Sequence, residues 1–340
     1  MYEIKEIINP NEWENFVLNQ PYTFFVQSSA YGDFYQSLDE KSWIFGIYNN
    51  DKLVGGSLVV STHAKRGNFL YLPYGPILNF EEPELLKKFI DFIANFAKSN
   101  NYIFIRVSPF TEDNKIMNKT FIDCGFRRAP MHVLAETSWV LNILPTEDEL
   151  LANMEKTHRY LIRRCQKEGV KIELSTDIQL LEKFNLMHDT TAERHNFHRF
   201  SRQHIDNEFK IFCERGQAVI LSAYLPDGTL DAMSIIMYFG NMGVYRHSAS
   251  LGLNKKLPTS YLLQWEAIRE AKKRGMKWYN FWGIAPTNAS KKHPFFGITH
   301  FKKGFGGQQL DILHCHDFII SKFYWFNWII ETVRRIKRRF

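Results

Sequence analysis

The chain of 340 residues has few cysteines and no closely spaced cysteine pair. Its four thiols, 41, 48 and 102 residues apart in sequence, belong to Cys124, Cys165, Cys213 and Cys315. This spacing excludes the paired cysteines of zinc knuckles and redox dithiols, so we predict no metal. The N-terminus also lacks the basic start and apolar run of a secretory signal peptide. Both absences favour the reducing environment of the cytoplasm.

The chain also lacks a long uninterrupted apolar run. The longest, residues 318–333, has 16 positions and is interrupted by Lys322, Asn327 and Glu331. A membrane-spanning helix needs about 20 nearly uninterrupted apolar residues, so this segment is not expected to cross a bilayer. Hydrophobic residues nevertheless make up 45% of the chain, which excludes a mainly disordered protein. The length predicts two domains.

Positive charge is scarce outside the C-terminus. The chain has 43 basic and 36 acidic residues, a net charge of +7, but residues 322–340 alone carry +5. The rest of the chain therefore carries only +2. This is too little for the broad basic face with which proteins grip a long nucleic acid.

The C-terminal segment combines its bases with aromatic residues, a composition typical of helices that lie at a membrane surface. On a helix, an apolar stripe consists of Phe318, Trp325, Ile329, Val333 and Ile336. The residues that face away from it are Asn327, Glu331, Arg334, Arg335 and Arg338. We predict contact with the inner membrane face through Trp325, Trp328, Arg334, Arg335 and Arg338. The alternative is a helix docked on the core with a solvated basic end, because an apolar stripe suits both arrangements.

Several features of the chain recur 177 residues later. Residues 53–60 (LVGGSLVV) align with residues 230–237 (LDAMSIIM), and residues 102–109 (YIFIRVSP) align with residues 279–286 (YNFWGIAP). With two extra residues, Gly125–Phe126 corresponds to Gly304–Phe305. Each copy indicates a strand, a turn, two strands, a helix, a strand ending at proline and a short helix. A repeat of this length indicates two similar α/β domains.

A helix start separates the two copies. Thr146 as N-cap and Glu149 three residues later form a capping box after Pro145. This helix is predicted to run to about Glu168 and to end at Gly169. The predicted domains are residues 1–144 and 145–307. A C-terminal segment, residues 308–340, is predicted to return a strand to the first domain and to end in the amphipathic helix.

The order of elements resembles the GNAT acyltransferase fold, present here twice. The resemblance implies an α/β (α+β) protein in which each domain is a mixed, mostly antiparallel sheet flanked by helices. GNAT enzymes that use acetyl-CoA hold its pyrophosphate on a glycine-rich turn that opens a helix, and neither copy has such a turn in the expected place. The run KKGFGG at residues 302–307 follows the last short helix instead. We therefore predict no coenzyme A and no other cofactor.

A tandem GNAT-like pair without a coenzyme A loop resembles the Fem family, whose members build peptidoglycan interpeptide bridges from aminoacyl-tRNA. The motifs that carry this resemblance span nearly the whole chain: Trp13–Phe16, Gln27–Ser28, Tyr31–Phe34, YLPYGPIL at 71–78, FIRVSP at 104–109, THRYLIRR at 157–164, TAERHNF at 191–197, YNFWGI at 279–284 and FKKGFGG at 301–307. The resemblance implies transfer of an amino acid from the acceptor end of aminoacyl-tRNA to a peptidoglycan precursor, lipid-linked or nucleotide-linked.

Such a transfer requires orientation of two substrates and stabilisation of a tetrahedral oxyanion. Lys302 occupies the position of the lysine in the family's Phe-Lys motif. The resemblance implies that Lys302 stabilises the transition state or a substrate phosphate. The alternative is a surface lysine at a helix end, favoured there by the helix dipole.

Arginines are expected to hold the phosphates of the substrates, because the guanidinium group binds phosphate oxygens in pairs. Arg194 matches a substrate-binding arginine of the family. Arg159 and Arg163 lie four residues apart on one helix, where they either bind phosphate or belong to a solvated helix face.

The other candidates for substrate contact are Tyr74, Tyr245, His247 and Ser108. Tyr74 is expected to line a cleft, with an ordinary turn as the alternative. Tyr245 and His247 are predicted to share one face of a strand, and a packed histidine is the alternative for His247. Ser108 stands where relatives usually carry an acid, which leaves the general base open.

Two other functions fit these observations. The first is a GNAT-like N-acyltransferase that takes another acyl donor and a cell-envelope amine. The second is a membrane-surface binding protein with a decayed active site. Ser108 favours the second alternative, and so does Tyr35, which stands where some relatives carry a lysine.

Overall fold

The computed structural model describes residues 2–64, 67–195 and 197–338. The chain divides into two compact units. The first unit comprises residues 1–137, 292–294 and 310–340, and the second comprises residues 138–291 and 295–309. No helix in the described ranges is both long enough and apolar enough to cross a membrane.

Strands and helices alternate along much of the chain. The strands are β1 Tyr2–Glu6, β2 Ser42–Asn49, β3 Lys52–Ala64, β4 Gly67–Tyr74, β5 Phe104–Pro109, β6 Arg127–Arg128, β7 Thr137–Asn142, β8 Lys171–Ser175, β9 Ala218–Tyr224, β10 Leu230–Phe239, β11 Met242–Ser250, β12 Trp278–Gly283, β13 Gln308–Asp311 and β14 His316–Ile319. The helices are α1 Pro10–Leu18, α2 Ser29–Gln36, α3 Pro83–Ser99, α4 Lys115–Asp123, α5 Glu147–Asn153, α6 Lys156–Lys167, α7 Leu180–His195, α8 Arg202–Glu214, α9 Thr259–Lys273, α10 Phe296–Lys303 and α11 Tyr324–Arg338.

The first sheet has the strand order β1-β2-β3-β4-β5-β14-β6. Strands β4 and β5 run parallel, and their neighbours pair antiparallel, as predicted for a mixed sheet. Helix α3 begins at Pro83, which suits the first helical turn because proline lacks the N–H that would be unpaired there. Its apolar residues recur at helical spacing and are buried in the core of this unit.

The second sheet repeats this arrangement. Counted from its other edge, its order is β8-β9-β10-β11-β12-β7-β13, and β11 and β12 are the parallel pair. In both sheets the sixth strand comes from a distant part of the chain. β14, from the C-terminal segment, fills this place in the first sheet, and β7 fills it in the second. The two units therefore divide at the start of β7, whereas the sequence places the boundary after this strand.

Two helices, α5 and α6, replace the single helix predicted from Thr146 to Glu168. The capping box is confirmed, because the Thr146 N–H donates to the Glu149 carboxylate at 2.8 Å and the Glu149 N–H donates to the Thr146 hydroxyl at 3.3 Å. The helix then breaks at Met154, whose backbone is extended. A long-range contact stabilises the break, since the N–H of Glu155 donates to the carbonyl of Gly304 at 2.9 Å.

The predicted C-terminal helix is present as α11. Phe318 is not part of it, although the sequence assigns this residue to the helical stripe. It lies in β14, where it pairs with Ile105 of β5. The ladder with β5 therefore holds residues 316–319 extended, and the helix begins only at Tyr324.

Candidate active site

Lys302 lies in the last turn of α10 with only 6% of its surface exposed. Its Nζ donates a hydrogen bond to the carbonyl of Gly283, the last residue of β12, at 2.6 Å. The same Nζ lies 6.0 Å from the ring centre of Tyr245 in β11. The surface-lysine alternative is therefore wrong, because this amine is enclosed by the second unit.

Burial lowers the pKa of Lys302 from its ordinary value of 10.5 to about 7. Among the described residues, no carboxylate forms an ion pair with it. The hydrogen bond to the Gly283 carbonyl therefore offsets only part of the cost of removing an ammonium group from water. Near neutral pH the amine and ammonium forms are both populated, so the group can act on a proton or on a developing negative charge.

Tyr245 is the aromatic neighbour of this amine. It is buried in the core of the second unit, and burial raises the pKa of its hydroxyl to about 12. The phenol therefore stays protonated at neutral pH and keeps an O–H that can donate. We call Lys302, Tyr245 and the Gly283 carbonyl the lysine site.

A β-bulge separates Tyr245 from His247. Tyr245 pairs with Ile236 and His247 pairs with Ile235, so Arg246 is the extra residue. Because Ile235 and Ile236 are consecutive, they point to opposite faces of the sheet, and so do their partners. The prediction that Tyr245 and His247 share one strand face is wrong, and His247 does not face the lysine site.

The other face of β11 carries a buried ion-pair network. Glu208 of α8 accepts hydrogen bonds from Arg246 at 2.8 and 3.0 Å and contacts His247 Nε2 at 2.8 Å. Burial alone would raise the pKa of Glu208, but Arg246 and His247 outweigh burial and hold that pKa well below its ordinary value. The geometry of His247 matches the packed-histidine alternative, since the ring is buried and paired.

Arg194 lies near the end of α7, in the motif TAERHNF, of which Asn196 falls outside the described residues. Its guanidinium donates to the carbonyl of Ser250 at 2.6 Å and to the carbonyl of Leu251. Each terminal nitrogen carries a second N–H, so these bonds fix the group and leave donors for an anion. The residue is exposed, as a binding arginine must be.

The two arginines of α6 differ from each other. Nη1 of Arg159 donates to the carbonyls of Leu151, Ala152 and Met154 at 3.2, 2.6 and 2.9 Å. It thereby satisfies the C-terminal carbonyls of α5, a structural task that neither the phosphate contact nor the solvated helix face predicted from sequence includes. Arg163 is exposed and has no hydrogen-bond or ion-pair partner within the described ranges.

The two candidates of the first unit are interior residues. Tyr74 is 2% exposed, and its hydroxyl donates to the carbonyl of Ala135 at 2.7 Å. Its ring packs edge-on against Phe24. Ser108 is also buried and accepts a hydrogen bond from the Tyr71 hydroxyl at 3.1 Å. Tyr74 therefore does not line a cleft in this unit, contrary to prediction, because its ring fills an aromatic cluster.

One cluster of the described residues has a metal-like donor set, with ligand atoms of Glu136, His314 and Cys315 within 4.8 Å of one another. These donors already bond to the protein. His314 contacts Glu136 and the carbonyl of Ala129, both at 2.8 Å. The Cys315 thiol donates to the carbonyl of Met131 at 2.9 Å, and burial raises its pKa. A metal would have to displace these bonds, so we assign the cluster to the fold.

Arg246 and Glu208 are absent from the residues chosen from sequence. A signal for Arg246 existed, because it is a charged residue in the middle of the apolar strand GVYRHSAS, and a buried charge requires a partner. The identity of that partner had no signal, since Glu208 belongs to a helix 38 residues earlier.

Comparison with known proteins gives consistent results. The FemAB family model matches residues 8–123, 128–231 and 227–327. Lipid II:glycine glycyltransferase of Staphylococcus epidermidis is 21% identical over 387 residues, which cover 90% of this chain and 92% of that protein. The crystal structure of FemX matches with a TM-score of 0.84 at 16% identity, over 97% of this chain and 100% of that one.

A tandem GNAT protein from the clavulanic acid biosynthesis pathway also matches, with a TM-score of 0.57 at 7% identity over 94% of this chain and 99% of that one. Together with the two sheets of identical strand order, these likenesses confirm the predicted fold of two tandem GNAT-like domains.

Proposed function

The chain belongs to the FemAB family and is an aminoacyltransferase, and we propose that it moves an amino acid from aminoacyl-tRNA to the stem-peptide amine of a peptidoglycan precursor. The observation that carries this proposal is the lysine site. A buried cation without a carboxylate partner destabilises the fold, and such groups are concentrated at functional sites. We place the reaction in the cytoplasm, where charged tRNA is available.

The reaction forms a peptide bond and breaks an ester. The nitrogen of the acceptor amine attacks the carbonyl carbon of the aminoacyl ester, and the carbonyl oxygen becomes an oxyanion. When this intermediate collapses, the bond to the ribose oxygen of the tRNA breaks, and one proton passes overall from the amine to that oxygen. The ester is already activated, so the transfer requires positioning and charge stabilisation but no cofactor.

Lys302 is the residue that we assign to the oxyanion or to a substrate phosphate. In its ammonium form it donates a hydrogen bond in a water-poor environment, where such a bond is stronger than in water. The Tyr245 hydroxyl, which stays protonated, is a second donor of the lysine site, where the ring centre of Tyr245 lies 6.0 Å from Lys302 Nζ. Ser108 does not serve as the base, because a hydroxyl is far too weak to deprotonate an ammonium group.

The arginines of the second unit supply phosphate contacts in this proposal. Arg194 is held rigidly by two carbonyls and keeps donors for a pyrophosphate-linked precursor. Arg163 is exposed and unpaired among the described residues, so it is available to a phosphate of the precursor or the tRNA. With only +2 outside residues 322–340, the tRNA is held at its acceptor end.

The test is a transfer assay with labelled amino acids. Purified protein is mixed with a total tRNA pool charged with each amino acid in turn, and with nucleotide-linked or lipid-linked precursor. We expect label in the precursor, and none after ribonuclease treatment of the donor. Transfer that persists after ribonuclease treatment would replace the donor by another acyl group. No label with any amino acid, from folded protein with both precursors, would overturn the proposal.

A further inference from the structure

An ordinary surface helix buries its apolar stripe and exposes its polar residues. Helix α11 does the reverse. Its buried residues are Tyr324, Asn327 and Glu331. Its exposed residues include an apolar stripe: Trp325 at 43%, Phe326 at 61%, Ile329 at 57%, Val333 at 47% and Ile336 at 68%. Four of the five stripe residues predicted from sequence thus lie on this helix, and they face solvent.

A buried ion-pair network fixes this orientation. Arg106 of β5 donates to Asp317 of β14 at 2.7 and 2.8 Å and to Glu331 of α11 at 2.7 and 3.2 Å. The Tyr324 hydroxyl donates to Asp317 at 3.0 Å. Rotating α11 to bury its stripe would separate Glu331 from Arg106 and the Tyr324 hydroxyl from Asp317, which would leave the buried charges with fewer partners at an energetic cost.

Cation–π contacts hold the start of the helix in the same orientation. The Arg127 guanidinium lies 4.4 Å from the ring centre of Trp325 and 5.8 Å from that of Trp328. These tryptophans therefore lie at the edge of the stripe, between the sheet and the solvent-facing apolar residues.

The same helix carries exposed bases, with Lys337 next to the stripe and Arg334 and Arg338 on the side away from it. Arg334, Lys337 and Arg338 are exposed in the last turns of α11, and Lys322 is exposed just before the helix begins. The one acid of this segment, Glu331, is buried against Arg106, so it does not reduce the positive surface. The surface thus joins apolar, aromatic and cationic groups along a helix about 22 Å long.

Of the candidate partners, only one satisfies both parts of this surface. A second copy of the chain that packed its own stripe against this one would cover the apolar residues but would bring two basic surfaces together. A nucleic acid would pair with the bases but would leave the apolar side chains in water. A bilayer that contains anionic lipid takes the stripe into its acyl boundary and the bases into its headgroup layer.

We propose that α11 is an interfacial helix that binds the surface of an anionic membrane, with Phe326, Ile329, Val333 and Ile336 inserted and Arg334, Lys337 and Arg338 at the headgroups. The helix lies in the plane of the interface, and the network around Arg106 holds it with its stripe outward. This proposal does not rest on the proposed function, because it is tested without any substrate.

Vesicle co-sedimentation of the full chain tests the proposal. The vesicles are phosphatidylcholine alone or phosphatidylcholine with phosphatidylglycerol. We expect binding to the anionic vesicles, and a decrease in affinity of roughly tenfold or more in Ile329→Ser/Val333→Ser. Arg334→Gln/Lys337→Gln should weaken binding to anionic vesicles by about fivefold for each base removed.

A matched control replaces apolar residues that are equally exposed elsewhere on the first unit. Ile116 and Ile122 of α4 are 73% and 58% exposed, so Ile116→Ser/Ile122→Ser should bind vesicles like the original chain. All these positions are exposed, so melting temperatures should stay unchanged and folding should not confound the result.

Three outcomes would overturn the proposal. The first is an original chain that does not sediment with anionic vesicles. The second is equal loss of binding in the α11 and α4 variants. The third is self-association, measured by light scattering, that depends on Ile329 and Val333 while vesicle binding does not. This last result would assign the stripe to a second copy of the chain.

Discussion

Two of the buried basic side chains, one in each unit, have opposite surroundings. Arg106 in the first unit is 2% exposed and lies between two carboxylates, Asp317 and Glu331. Lys302 in the second unit is 6% exposed and has a backbone carbonyl as its hydrogen-bond acceptor. Burial alone would lower the pKa of both, but the carboxylates raise that of Arg106 well above its ordinary range, while that of Lys302 falls to about 7.

The difference distinguishes a structural charge from a functional one. Removing a cation from water costs several kcal/mol, and a well-placed carboxylate offsets much of this cost. Arg106 therefore connects β5, β14 and α11 as part of the fold. Lys302 lacks that compensation, so the fold would be more stable without it. A residue that opposes stability in this way points to selection for activity.

The largest loss of stability is expected from removing Arg106, the buried charge that is paired with carboxylates. Arg106→Met leaves two carboxylates buried without a cation, and we expect the free energy of unfolding to fall by about 3–5 kcal/mol. Urea unfolding measures this change. Arg128→Met, which removes an exposed arginine of β6, should stay within about 0.5 kcal/mol of the original chain. Equal effects of the two substitutions would contradict the structural role of Arg106.

Replacing Lys302, whose charge has no carboxylate partner among the described residues, should lower activity and leave the fold intact. Lys302→Met keeps the buried volume and removes the ammonium, so transfer activity should fall by about 10²- to 10³-fold while the protein stays folded. The matched control is Lys303→Met, a half-buried neighbour that contacts Gln309 at 3.3 Å. Its activity should change little. Full activity in Lys302→Met would remove this residue from the reaction.

The same substitution gives a pH-dependent effect on stability. Between about pH 7 and pH 10.5 the unfolded chain holds a proton on Lys302 that the folded protein has released. The stability contributed by this group therefore rises with pH across that range, and its cost is greatest below pH 7. We expect Lys302→Met to be more stable than the original chain by a few kcal/mol near pH 7, on the order that a pKa shift of this size implies.

That advantage should shrink towards pH 10, because the folded lysine is already neutral there and the unfolded chain approaches its own pKa of 10.5. Urea unfolding of the two proteins at both pH values measures it. A difference that does not depend on pH would show that the amine is not desolvated as the structure indicates.

Local sequence signals predicted the elements well. The capping box at Thr146 and Glu149 involves residues three apart, and the repeat predicted the succession of strands and helices along each half of the chain. Lys302 was found through its motif, and its burial was not foreseen. The amphipathic stripe of α11 was also visible, because helical periodicity depends only on residues within a few turns.

Long-range contacts account for the errors. The partners of Arg106 lie 211 and 225 residues away, so no local pattern shows that α11 turns its polar side inward. A one-residue bulge at Arg246 moves His247 to the other face of the sheet, and bulges leave little trace in periodicity. The break after α5 depends on a bond to Gly304, which is distant in sequence.

The smallest changes in stability are expected at Arg159 and Arg163, which lie one turn apart on α6 and also differ in whether they have partners. Arg159 is compensated by the end of α5, so Arg159→Gln should lower the free energy of unfolding by roughly 1–3 kcal/mol. Arg163 has no such partner among the described residues, and the stability of Arg163→Gln should stay within about 0.5 kcal/mol of the original chain.

The salt dependence of transfer tests whether Arg163 binds a substrate phosphate. If it does, Arg163→Gln should weaken that dependence, because one fewer ionic contact is screened. Stability loss in Arg163→Gln with unchanged salt dependence would reverse the two assignments.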